Sequence, residues 1–376
     1  MRLPSPSGPP VVLRPNPVSG TPTIAATPSD LSRQTLQAHG RQTSARRLIL
    51  AVLALACLVA LALDVMTGPS SLSPWRILSG LVDPASLSPG EAAIVWQIRL
   101  PYALMAVMVG AALALSGAEM QTVLNNPLAS PFTLGVSSAA SFGASLSIVL
   151  GLSLPFVPND AVTTVNAFLF AFGSVLALQA LARAQRGGVQ SIVLFGIALV
   201  FAFNALTALV QFVSSQEALQ QLVFWTMGSL SRSTWRSVAF MAVVLALATP
   251  FSLLSARALT ALRLGEDRAM SFGVDVSRLR FLALLRVSLL SATAVAFVGV
   301  IGFVGLVAPH IARLLVGEDH RVFLPASLLS GALLMSLASV ASKSLVPGAL
   351  MPVGIVTAVI GVPVFLILIF RNGARG

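Results

Sequence analysis

What most constrains this chain is a series of apolar runs, at 47–66, 100–122, 133–153, 161–182, 191–213, 237–256, 281–299, 301–316, 322–345 and 352–370. A helix needs roughly 18–20 apolar residues to cross a hydrocarbon core about 30 Å thick. Lipid offers no partner for exposed peptide groups, so runs of this length predict helices, whose backbone bonds are internal. The eighth run is short, and Gly299, Gly302, Gly305 and Pro309 interrupt it. Composition agrees: 56% of the 376 residues are hydrophobic and 9% are charged, with mean hydropathy +0.91, whereas soluble domains carry about 25% charged residues. The expected fold class is an all-α polytopic membrane protein with ten transmembrane helices over residues 46–371 and both termini on one side. Residues 1–45, rich in Pro, Ser, Thr and Gly, are expected to form a disordered tail, and they lack the apolar core of a signal peptide.

A net charge of +11 would suggest nucleic acid as partner of a soluble protein. In a membrane protein the position of each charge matters instead. Of the 23 basic residues, only Arg76, Arg99, Arg232, Arg236 and Lys343 fall opposite the N-terminus, and Arg286 falls within a span. The remainder lie on the N-terminal side, which places both termini in the cytoplasm by the positive-inside rule. The basic excess is an orientation signal, and nucleic acid is set aside.

One polar island breaks the apolar pattern. Residues 257–280 carry Arg257, Arg263, Glu266, Asp267, Arg268, Asp275, Arg278 and Arg280. A charge at the bilayer centre costs about 2.5–3.5 kcal/mol even on lenient insertion scales, so this segment must lie in water on the cytoplasmic side. Glu266 to Phe272 can make a short helix punctuated by Gly265 and Gly273. Two readings are open: a surface for a partner, or a solvated loop. A second irregular patch, Asn125 to Pro131, ends the second run with two prolines; it is a candidate gate or a tight turn.

Chemistry-bearing residues are few. The only lysine, Lys343, is in an apolar run, so the chain has no phosphate-cradling loop with a lysine to grip ATP. If the chain takes part in ATP-driven transport, the motor is another polypeptide. Cys57 is the single cysteine, and His39, His310 and His320 are scattered, so neither a disulfide nor a metal site is expected. Glu119 and Arg286 lie near span ends, where long side chains can snorkel to the interface. Ala106, Gly110, Ala114 and Ala118, four apart, form a small-residue face suited to close helix packing.

Three segments, RLPYALMAVMVGAALALSGAEMQTVLNNPLASPFTLGVSSAASFGA (Arg99 to Ala144), LGEDRAMSFGV (Leu264 to Val274) and GFVGLVAPHIARLLVGEDHRVFLP (Gly302 to Pro325), resemble the permease family of ABC importers for iron-siderophores, haem and vitamin B12. The resemblance covers roughly residues 50 to 370. It implies a pair of permease subunits around a central path, two cytoplasmic ATPase subunits that bind ATP and Mg, and a periplasmic or lipid-anchored substrate-binding protein. It further implies that Leu264, Gly265, Glu266, Ala269 and Gly273 couple to the ATPase, and that Asn126 and Leu128 form a cytoplasmic gate, with Val189 and Gln190 at its second segment. Arg99 matches an outward-facing arginine that docks the binding protein, and Lys343 falls where the family has another. Lysine keeps the charge but loses the planar fork of arginine. Tyr102 replaces a further docking arginine, Ser339 replaces the aspartate of a nearby motif that begins at Ala338, and Leu350 replaces an acidic residue.

The resulting expectation is a permease subunit of an ATP-driven importer in the cell (inner) membrane, carrying an iron(III)-siderophore by alternating access. Haem and cobalamin are the alternative cargoes. An ion-coupled secondary transporter is the alternative of another class; it would need a titratable group near mid-membrane.

Overall fold

A computed structural model describes residues 28–70, 72–184, 189–346 and 348–373. The chain divides into two units, Met1–Ala45 and Arg46–Gly376. The helices that matter here are α1 (Pro28–Met66), α2 (Leu100–Val123), α3 (Val136–Ile148), α4 (Val162–Ala184), α5 (Val189–Phe212), α6 (Trp235–Leu254), α7 (Ala256–Leu262), α8 (Glu266–Ser271), α9 (Val276–Val298), α10 (Val304–Val316), α11 (His320–Ser344) and α12 (Val353–Gly373).

Every apolar run in the sequence contains a helix, but the lengths differ from expectation. Among the described residues seven helices are long and apolar enough to cross a membrane, while Val136–Ile148, Val304–Val316 and Val353–Ile367 are shorter. Glycine explains two of the short ones. Gly135 takes φ +87° immediately before α3, and Gly317 takes φ +80° immediately after α10, backbone that L side chains rarely adopt. The tail also departs from expectation. Pro28 to Ala45, expected to be disordered, belongs to helix α1, in keeping with its Leu, Gln, Arg and Ala content; residues 1–27 lie outside the described residues.

Helix α2 forms the axis of the bundle. It is buried along almost its whole length, packing on α11, α9 and α10. The small-residue face permits this. A Cβ on Gly110 would overlap the Gly331 carbonyl of α11, and one on Gly117 would overlap the Gly305 carbonyl of α10. Close backbone approach replaces the hydrophobic drive that lipid does not supply. Local capping sets the helix starts. Thr234 and Ser237 form a reciprocal capping box before α6, Asp275 caps α9 and Asp319 caps α11, each satisfying amide groups left open by the first turn.

Contacts between helix ends show which loops share an end of the bundle. Arg280 reaches the Val123 carbonyl, Arg263 reaches Asn125, and Arg46 lies 3.8 Å from Asp319. These place the start of the apolar part of α1, the end of α2, the island and the α10–α11 turn together. At the other end, Lys343 meets Asp64 and Trp235 Nε1 donates to the Trp96 carbonyl.

Candidate coupling segment and gate

The island folds as a short helix between two turns. Gly265 (φ +106°) and Gly273 (φ +79°) bracket α8, and an added Cβ would meet nothing at either one, so backbone conformation, not space, calls for glycine there. Ala269 is wholly buried and anchors the helix, while its neighbours turn outward. Leu264 and Met270 are each 54% exposed and Phe272 is 67% exposed. Three large, exposed apolar side chains beside Glu266, Asp267 and Arg268 form a surface suited to contact with another protein. Sequence reasoning picked out Leu264 but not Met270 or Phe272; an apolar residue repeated within a charged stretch was the available signal.

Charged side chains tie this segment to the bundle. Arg280 Nη2 donates to Glu266 at 2.5 Å while its Nε donates to the Val123 carbonyl at 3.2 Å. One guanidinium therefore joins α8 to the end of α2. Arg263 Nε and Nη2 donate to the two oxygens of Glu318 at 3.1 and 2.5 Å, and Nη1 donates to Asn125 Oδ1 at 3.2 Å. The Arg263 guanidinium holds the Glu318 carboxyl below its ordinary range, against the opposing effect of partial burial. Arg313 extends the network, lying 3.4 Å from Glu318 and donating to Gln121 Oε1 at 3.1 Å. Buried His320 is held by Thr122 Oγ1 at 2.7 Å and Thr260 Oγ1 at 3.2 Å. Thus α7, α8, the α10–α11 turn and the last turn of α2 are joined through polar groups that their spacing in sequence does not bring together.

The gate candidates follow directly on that last turn. Asn125 takes φ +44°, a left-handed conformation that asparagine tolerates better than most residues. Asn126 accepts at Oδ1 from the Leu128 amide at 2.9 Å, a turn in which a side chain replaces a backbone partner. Asn126 is half-buried and Leu128 is 46% exposed. Val189 and Gln190 open α5, the first half-buried and the second exposed. Among the described residues no hydrogen bond joins these two segments.

Two sequence expectations are corrected inside the bundle. Glu119 and Arg286 do not snorkel. Arg286 Nε donates to both Glu119 oxygens at 3.2 and 3.1 Å and Nη2 donates at 2.7 Å, pairing α2 with α9 where Glu119 is 1% exposed. Arg99 and Lys343, expected as outward docking residues, are buried. Arg99 Nη1 donates to the Val65 and Met66 carbonyls at 3.1 and 2.9 Å, and Nη2 donates to Ser70 Oγ at 2.5 Å. Lys343 Nζ donates to the Asp64 carboxylate at 2.7 Å and its carbonyl at 2.8 Å. Lys343 also lies 4.3 Å from the centre of the Tyr102 ring, and Ser339 donates to the same carboxylate at 2.6 Å. The departures noted in sequence fit this arrangement: Tyr102, Ser339 and Lys343 all contribute to a buried cluster around Asp64. A charge without its partner would be costly there, so in this structure Arg99 and Lys343 are held by the fold.

A helical bundle of apolar spans, with a charged connection clamped to the end of its central helix, defines a multi-pass membrane transport subunit. The chain belongs to the FecCD transport family, whose model matches residues 53–371, and is a permease of the ABC importer type. It is 39% identical over 279 residues to the hemin transport system permease protein HmuU of Yersinia pestis, covering 74% of this chain and 84% of that one. It is 36% identical over 327 residues to the vitamin B12 import system permease protein BtuC of Vibrio vulnificus, covering 87% and 95%. An inward-facing structure described as a metal-chelate type ABC transporter superposes with a TM-score of 0.75 at 33% identity, covering 87% of this chain and 99% of that one.

Proposed function

We propose that the chain forms the translocation path for an iron(III)-siderophore in the cell (inner) membrane, working by alternating access while partner ATPase subunits hydrolyse ATP. The observation that carries this reading is the double hold of Arg280 on Glu266 and on the Val123 carbonyl. Movement imposed on α8 passes through one side chain to the helix end that bears Asn126 and Leu128. An ATPase dimer that closes against Leu264, Met270 and Phe272 would bias the path between two states by pushing on this end. Val189 and Gln190 would form the gate's second side. A second permease copy, two ATPase subunits and a substrate-binding protein would complete the assembly, with both termini and the island in the cytoplasm. The metal-chelate neighbour and the NPLASPFTLG segment support a siderophore, and HmuU supports haem as the alternative cargo.

The test is uptake in proteoliposomes holding the assembled transporter. Glu266→Arg should leave the protein folded, abolish ATP-driven accumulation and reduce ATPase stimulation by the binding protein. Wild-type uptake by this variant would rule the mechanism out. Cargo is settled separately, by which of ferric siderophore, haem or cobalamin the wild-type assembly accumulates.

A further inference from the structure

Beside the island, at the same end of the bundle, a cavity of about 300 Å³ opens between the end of α4, the first turn of α5 and the start of α9. Gln179 and Arg183 come from α4, Ile192 from α5, and Ser277, Arg280 and Phe281 from α9. The coupling scheme uses only Arg280 among them. We propose that this cavity binds a phosphate-bearing anion, supplied by the headgroup of an anionic phospholipid in the adjoining leaflet.

Three independent features lead there. Gln179 is 6% exposed, and neither atom of its side-chain amide has a hydrogen-bond partner among the described residues. A buried amide is seldom left unpaired, because its desolvation then goes uncompensated, so the wall calls for a polar occupant. The second feature is charge. The Arg183 guanidinium stacks 4.0 Å from the centre of the Phe281 ring and has no carboxylate partner among the described residues. Nearby acids are engaged elsewhere: Glu266 holds Arg280, and Asp275 caps α9. Arginine forks match phosphate oxygens, and Ser277 adds a hydroxyl. Third is size and setting. A water molecule takes about 30 Å³, so the space exceeds what a lone small ion fills. Ala182, Ile192 and Leu284 complete the lining, an apolar wall against which the first carbons of an acyl chain can lie. Because Arg280 lines the cavity and also holds Glu266, occupancy bears on the coupling segment.

Native mass spectrometry of the purified full-length permease in uncharged detergent tests this with three probes: phosphatidylglycerol, phosphatidylcholine and inorganic phosphate. Phosphatidylglycerol should be retained at one molecule per chain, about tenfold more tightly than phosphatidylcholine. Arg183→Gln and Gln179→Leu should each remove that preference, whereas the exposed Arg236→Gln at the other end should keep it. Displacement by inorganic phosphate that binds with the same sensitivity to Arg183→Gln supports the site and makes free phosphate its source. Equal retention of the two lipids by the wild type, or an unchanged preference in Arg183→Gln, overturns the proposal.

Discussion

Arg286 and Glu119 meet inside the bundle through three hydrogen bonds of 2.7 to 3.2 Å, joining the helix that leaves the island to the helix that ends at the gate. Nearer the island, Arg280 repeats the connection on the Val123 carbonyl. α9 and α2 are therefore held at two levels and are set to move as one body. The deeper pair also gives the Glu119 carboxylate a guanidinium partner inside the bundle.

Removing one partner of that pair should cost more than removing both. Arg286→Met strands the Glu119 carboxylate away from water, at about 3–5 kcal/mol. The double variant Glu119→Leu with Arg286→Leu leaves no orphan charge and should recover most of the loss. Denaturant titration of the detergent-purified permease measures both.

The buried cluster at the opposite end predicts a folding defect in place of a docking defect. Lys343→Met leaves Asp64 with only the Ser339 hydroxyl on its carboxylate, and should lower stability by about 3–5 kcal/mol. Capture of the binding protein by the folded fraction should stay normal and show no new salt dependence. A binding titration of the monodisperse fraction at low and high salt checks this.

Acid should loosen the island from the α10–α11 turn only below the ordinary carboxyl range. Arg263 depresses the Glu318 value from 4.5, so the contribution is complete above that ordinary value. It is lost as pH falls through the lower folded value, and raising the pH above neutral adds nothing. Replacing Arg263 with Gln should move Glu318 protonation back up toward its ordinary value. A carboxyl-selective NMR titration of Glu318 reads the shift.

Much of this architecture could be read from the chain because lipid imposes a simple rule, that apolar runs become helices and charges stay out. That rule located all ten apolar segments and the island, and the glycines at 265 and 273 marked the bounds of α8. It failed where a charge is buried. The rule sends Arg99, Lys343, Glu119 and Arg286 toward water, yet each finds a partner from a helix far away in sequence, such as Asp64 for Lys343. Such pairings depend on which helices are neighbours, and periodicity along one strip of sequence does not contain that information. The same holds for His320, whose partners Thr122 and Thr260 lie on two other helices.

The central claim is that force enters through the exposed side chains of α8. The direct measurement is cross-linking in the assembled transporter, with a cysteine at Met270 in a chain whose own buried Cys57 is replaced by Ser. The account predicts a cross-link to the ATPase subunit whose yield changes when ATP is bound, and no labelling by a membrane-impermeant thiol reagent added outside intact cells. Labelling from outside, with no cross-link to the ATPase in either nucleotide state, would contradict it.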